Sequence, residues 1–72
     1  MSTVIKHCSV NGFYICLEVR FEGMYIYYNV EVCIEHFKGI CGSPINQVTY
    51  NINNRKNALR TYNRYVKKYS TI

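Results

Sequence analysis

The sequence predicts an α+β fold: an antiparallel β-sheet of three or four strands packed on one C-terminal amphipathic α-helix. Three observations lead there. Two long runs on either side of Glu22-Gly23 alternate apolar and polar residues, a window after Asn54 repeats its apolar residues at helical spacing, and turn-forming residues separate these segments.

The first segment, Thr3 to Ser9, is rich in β-branched residues but alternates poorly, which fits an edge strand joined to the next through a turn at Asn11-Gly12. The hairpin that follows is better defined. Phe13, Ile15, Leu17, Val19 and Phe21 alternate with Tyr14, Cys16, Glu18 and Arg20, and the period resumes with Met24, Ile26, Tyr28, Val30, Val32 and Ile34. A two-residue turn at Glu22-Gly23 pairs Phe21 with Met24, Val19 with Ile26, Leu17 with Tyr28 and Ile15 with Val30, which places the apolar residues on one face. A three-residue loop would instead bury Asn29 and Glu31 or expose the aliphatic row, so the hydrophobic pattern rejects it. A four-residue loop keeps the same parity.

Lys38 to Pro44 reads as a loop, Gln47 to Ile52 as the further short strand, and Asn53 or Asn54 as the helix cap. In the window 54–69, at 100° per residue, Ala58, Leu59, Tyr62, Tyr65, Val66 and Tyr69 fall within an arc of about 120°. Lys56, Arg60, Arg64, Lys67 and Lys68 occupy the opposite arc. The apolar stripe is the right size to cover the aliphatic sheet face, each buried side chain contributing roughly 1.5 to 3 kcal/mol before entropy.

Residues 1–72 make one small domain, and a domain of this size buries only about 60% of the surface its unfolded chain exposes. Self-association is a natural supplement to such modest stability. The apolar fraction of 49% places the chain among globular proteins rather than disordered tails. Neither a signal-peptide pattern after Met1 nor the roughly 20 consecutive apolar residues of a membrane span is visible, so the expectation is a soluble, cytoplasmic protein without a membrane partner. Ile, Asn and Tyr occur eight times each and Lys five times, the usage of an A/T-rich genome such as that of a low-GC bacterium or its phage.

Charge is unevenly spread. Residues 1–38 carry three cations against four glutamates, whereas residues 39–72 carry six cations and no carboxylate side chain. Clustered cations raise the local potential and steer association with polyanions, so the expected partner is nucleic acid or an acidic protein surface. The bland reading is a solvated helix back. The reverse of the sheet, with Tyr14, Cys16, Glu18, Arg20, Tyr25, Tyr27, Asn29 and Glu31, is expected to face solvent. Tyrosines on a sheet can stack bases, but Glu18 and Glu31 repel phosphates there; the tyrosines read either as strand formers paired across the ladder with Arg20 and Glu31, or as a self-association or partner surface built from Tyr14, Arg20, Tyr25 and Tyr27.

No cofactor or metal is expected. Cys8, Cys16, Cys33 and Cys41 contain no C-x-x-C knuckle. Cys33, His36 and Cys41 read C-x2-H-x4-C, yet Cys33 and His36 point to opposite faces of a continuing strand, so shared zinc ligation needs the strand to end between them. Buried thiols behave as small hydrophobes, and His7 and His36 read as packing residues. Cys41 lies in the Gly39-to-Pro44 loop, where it could present a nucleophile with His36 or His7 as base. The chain has no Asp and no second catalytic motif, and Glu31 and Glu35 stand about 13 Å apart along a strand. Catalysis and a small-molecule substrate are therefore not expected.

The three-stranded sheet backed by a helix is similar in architecture to the plant AP2 domain and to the arm-binding domain of some phage integrases. In those modules the outer sheet face enters the major groove and carries the arginines. Here that face has Arg20 and two glutamates, and the cations lie on the helix. The expected function is therefore a non-enzymatic binding protein whose Lys56, Arg60, Arg64, Lys67 and Lys68 dock on a polyanion. The rival is a protein–protein interaction module, for instance a phage-encoded inhibitor working as a homodimer through its tyrosine-bearing sheet face.

Overall fold

The computed structural model describes residues 2–37 and 40–71. Along the chain run β1 (Ser2–Val10), β2 (Phe13–Glu22), β3 (Tyr25–Phe37), β4 (Ile40–Asn51) and α1 (Arg55–Ser70). The strands form one antiparallel sheet in the order β1-β2-β3-β4, each paired with its sequence neighbour, and α1 packs on one face. The expected fourth strand is present and longer than its alternation suggested. It begins at Ile40, so Cys41 to Pro44 belong to β4 rather than to a loop. The pairing of β3 with β4 is irregular around Cys33 and Pro44, and β4 is an edge strand, where a proline lacking its N–H is tolerated. The expected loop residues Lys38 and Gly39 lie outside the described residues.

Two-residue turns close both described hairpins. Val10 pairs with Phe13 across Asn11-Gly12, whose φ angles of 52° and 80° are those of a type I′ turn. In the second hairpin Glu22 pairs with Tyr25, so the turn residues are Gly23 and Met24. Gly23 has φ 61° and Met24 does not have positive φ, the pattern of a type II′ turn. This corrects the register by two residues: Leu17 faces Val30 and Ile15 faces Val32. The reason is local. A turn at Glu22-Gly23 puts Glu22 at positive φ, a strained position for a side chain with a Cβ, whereas the observed turn puts glycine there. A shift of two preserves parity, so each expected strand residue keeps its face, but Met24 leaves the strand for the turn.

The core lies between sheet and helix. Ile15, Leu17, Tyr28, Val30 and Val32 from β2 and β3 meet Ala58, Tyr62, Tyr65 and Tyr69 from α1, with Cys8, Val10, Phe13, Val19, Val48, Tyr50, Leu59 and Val66 partly buried around them. The helix seats slightly differently from its apolar arc. Thr61 is buried whereas Leu59 and Val66 are half-buried. The Thr61 Oγ1 shares a 2.5 Å hydrogen bond with the Tyr50 hydroxyl, which satisfies both groups and draws Thr61 toward β4.

Asn54 is the N-cap residue and its carbonyl accepts the first helical bond, from the Ala58 amide. Its side chain caps no backbone amide and accepts instead from Asn57 Nδ2 at 2.7 Å. At the far end Asn11 Nδ2 donates to the Tyr69 carbonyl at 2.9 Å, and the Phe13 and Tyr69 rings lie 4.7 Å apart. The helix thus starts near the Gly23-Met24 turn and ends at the Asn11-Gly12 turn.

Sixteen helical residues span about 24 Å, but the molecule extends 36 Å along its longest axis. One helix therefore leaves both ends of the sheet uncovered. Phe21 and Ile26 are exposed at one end and Ile34 at the other, although all three point to the helix side.

Candidate nucleic-acid interface

The helix cations Arg55, Lys56, Arg60, Arg64, Lys67 and Lys68 are all exposed, while Ala58, Thr61, Tyr62, Tyr65 and Tyr69 of the same helix are buried. Packing dictates this orientation, because the tyrosines supply the apolar area that holds the helix to the sheet and the cations have nowhere to go but water. Lys56, Arg60, Arg64 and Lys68 follow at intervals of four residues, a row that rises about 6 Å per step and about 18 Å in all. The first helical turn carries no acid, and Lys67 and Lys68 sit in the last turn, where the helix dipole favours cations. Lys68 Nζ also lies 5.6 Å from the centre of the Tyr69 ring. Beneath the row, burial raises the Tyr62 and Tyr65 phenols above their ordinary range, so these rings stay neutral at any physiological pH.

The carboxylates are elsewhere. Glu18 and Glu22 of β2 and Glu31 and Glu35 of β3 belong to the sheet face turned away from α1. Arg20 pairs with two of them, its Nε 2.6 Å from Glu18 Oε1 and its Nη2 3.1 Å from Glu31 Oε1. Positive charge thus gathers on one side of the molecule and negative charge on the other.

The reverse of the sheet is less open than its sequence predicts. Cys16, Glu18, Asn29 and Cys33 are buried, which corrects the expectation that this face is solvated throughout. Asn29 is the hub. Its Nδ2 donates to Glu18 Oε1 at 3.0 Å and to Glu31 Oε1 at 2.6 Å, and its Oδ1 accepts from Gln47 Nε2 at 2.8 Å. Alternation separates the two faces of a strand but does not say whether polar neighbours will close over one another, and here Arg20, Glu31 and Gln47 do so. Hydrogen bonding to Glu18 is the main reason the Arg20 guanidinium is held even more firmly protonated than usual.

The four residues expected to form a partner surface are scattered in state. Arg20 is engaged in this network, and Tyr14 is half-buried with its ring stacked on His7 at 5.9 Å. Tyr27 donates to Glu22 Oε1 at 2.8 Å, the main cause of its raised phenol pKa, and Tyr25 stands exposed beside the turn.

β3 runs through Phe37 without ending between Cys33 and His36, so Cys33 is buried on the reverse face while His36 is exposed. A Cβ built on Gly42 lies 2.9 Å from His36 Nε2, which shows how closely that imidazole approaches the β4 backbone. The Cys41 side chain lies outside the described residues. Among the described residues no three His, Cys, Asp or Glu side chains gather into a metal-binding group, and no helix is long and apolar enough to cross a membrane.

Two residues of note had weak sequence signals. Thr61 is polar and outside the apolar arc, and Met24 reads as a core residue until the turn type is known. No protein-family model matches the chain, and neither a curated protein nor a solved structure matches it.

Proposed function

We propose that this chain is a non-enzymatic binding protein whose amphipathic helix docks its basic face, Lys56, Arg60, Arg64, Lys67 and Lys68, on the phosphate backbone of a nucleic acid. The observation that carries the reading is the separation of charge: exposed cations along α1 with no acid among them, and the four glutamates on the far side of the sheet. A repeated row of cations suits a repeated row of phosphates better than it suits a single anionic ligand. The proposed binding is to backbone phosphates, which fix position and carry no sequence information directly.

The sheet-in-groove mode of the architecturally similar DNA-binding modules does not suit this chain. Arg20, the reverse face's arginine, is already bound to two carboxylates. An acidic protein surface is the competing partner of the same face.

The test is a titration of the full chain against labelled DNA and RNA of unrelated sequences, compared with the Arg60→Glu, Arg64→Glu variant. Similar affinities across sequences, lost in the variant, support the reading. Retention of full affinity by the variant overturns it, and absence of binding to either nucleic acid transfers the face to a protein partner.

A further inference from the structure

The Gly23-Met24 turn carries the largest exposed apolar side chains of the described residues. Met24 is 98% exposed and Tyr25 78%, and Phe21, Ile26 and Ile52 are exposed beside them. Single exposed apolar residues are ordinary, but here five gather at one end of the sheet, Phe21 and Ile26 on the helix side and Tyr25 on the reverse face. The fold explains their exposure. The strands of the hairpin outrun the helix, and a two-residue turn projects Met24 beyond the last strand pair. The same end is basic. β4 finishes where Asn51 faces Tyr27, which brings Ile52 and the start of α1, with exposed Arg55 and Lys56, beside the hairpin tip. Glu22, the carboxylate at this end, belongs to the reverse face and accepts from the Tyr27 hydroxyl.

We infer that this tip inserts into the interface of an anionic lipid bilayer, with Met24 and Ile26 entering the acyl boundary, Tyr25 at headgroup level, and Arg55 and Lys56 against the lipid phosphates. An apolar point with an aromatic neighbour and a cationic collar is the chemistry such an interface takes up, to a depth of about 5 to 10 Å. The lack of a spanning helix has no bearing on this, because the tip lies on the bilayer and does not cross it. A second copy is the poorer occupant. A two-fold tip-to-tip contact brings two Arg55-Lys56 collars together, and a two-residue turn is too narrow for the roughly 800 Å² each partner needs in a standard interface. The inference shares Lys56 with the proposed nucleic-acid contact, whose other residues lie on the later turns of α1.

The chain has no tryptophan, so Met24→Trp places a unique reporter at the tip. With vesicles of phosphatidylserine and phosphatidylcholine its emission should shift to the blue and be quenched by brominated acyl chains, and with phosphatidylcholine alone it should not. Met24→Glu should lower cosedimentation of the full chain with the anionic vesicles about tenfold or more, while its melting temperature and its affinity for labelled DNA stay unchanged. Three results overturn the inference: a reporter that stays in water, a Met24→Glu chain that sediments as well as the parent, or a solution mass twice that of the monomer that Met24→Glu halves. Loss of DNA affinity in Arg60→Glu, Arg64→Glu tests the other reading, so each can fail alone.

Discussion

Arg20 and Glu18 lie on the same strand face two residues apart, with the guanidinium Nε 2.6 Å from the carboxylate Oε1. This pair decides how the two faces of the molecule differ. Glu18 is buried and shares its Oε1 with Asn29, so Arg20 neutralises an anion inside the protein and is withdrawn from any role outside it. The cations left in water are then concentrated on α1.

Replacing Arg20 by Met leaves Glu18 buried with an amide donor but no counter-charge. Removing one member of a buried pair costs several kcal/mol, and the part-exposed guanidinium reduces that. Urea unfolding should show a loss of about 2 kcal/mol. A change below 0.5 kcal/mol, the size of an ordinary surface substitution, would mean that solvent already screens Glu18.

The Thr61→Val variant tests how the helix is seated. It keeps the shape of the side chain but deprives the half-buried Tyr50 hydroxyl of its partner, at an expected cost of about 1 kcal/mol. Combining it with Tyr50→Phe should recover most of the loss. Additive losses in the double variant would show that the two hydroxyls do not act together.

Gly23→Ala probes the turn that sets the hairpin register. Nothing lies within 4 Å of a Cβ built there, so the penalty comes from the backbone at φ 61° and not from a clash. It should be about 1 to 2 kcal/mol. A neutral result would indicate that the hairpin can slide to another turn.

Burial raises the phenol pKa values of Tyr62 and Tyr65 above the ordinary 10.0. The sign follows from proton linkage: the unfolded chain releases these protons first, so their stabilising contribution is complete below about pH 10 and is lost as the pH climbs through the folded values. The melting temperature should therefore fall above about pH 10, and less steeply in Tyr65→Phe. An equal fall in parent and variant would remove Tyr65 as a cause.

Much of the fold was legible because two periodicities coexist in the chain. Ile15, Leu17, Val30 and Val32 alternate as strands do, Ala58, Tyr62, Tyr65 and Tyr69 recur as helices do, and the burial of each follows. Turn geometry was harder. Glu22-Gly23 and Gly23-Met24 both fit the alternation, and backbone strain at Glu22 chooses between them, moving Met24 from an expected core position into water. The start of β4 was hidden by Gly42 and Pro44, which read as a loop although an edge strand accepts them. The reverse face was misread as open because a polar pattern looks the same whether water or a neighbouring Asn29 satisfies it. Of the candidate site, the exposed state of Lys56, Arg60, Arg64, Lys67 and Lys68 was legible from the helical wheel, whereas the withdrawal of Arg20 required knowing which residues face one another across β2 and β3.

The proposed contact between α1 and a nucleic-acid backbone is most directly tested by the salt dependence of binding. Four or five phosphate contacts release that many counterions, so the logarithm of the association constant should fall against the logarithm of salt concentration with a slope of about −3 to −5. In Arg60→Glu, Arg64→Glu, whose melting temperature should match the parent because both side chains are exposed, affinity should drop and the slope should flatten. A parent slope near zero, or a variant slope equal to the parent's, would contradict the account.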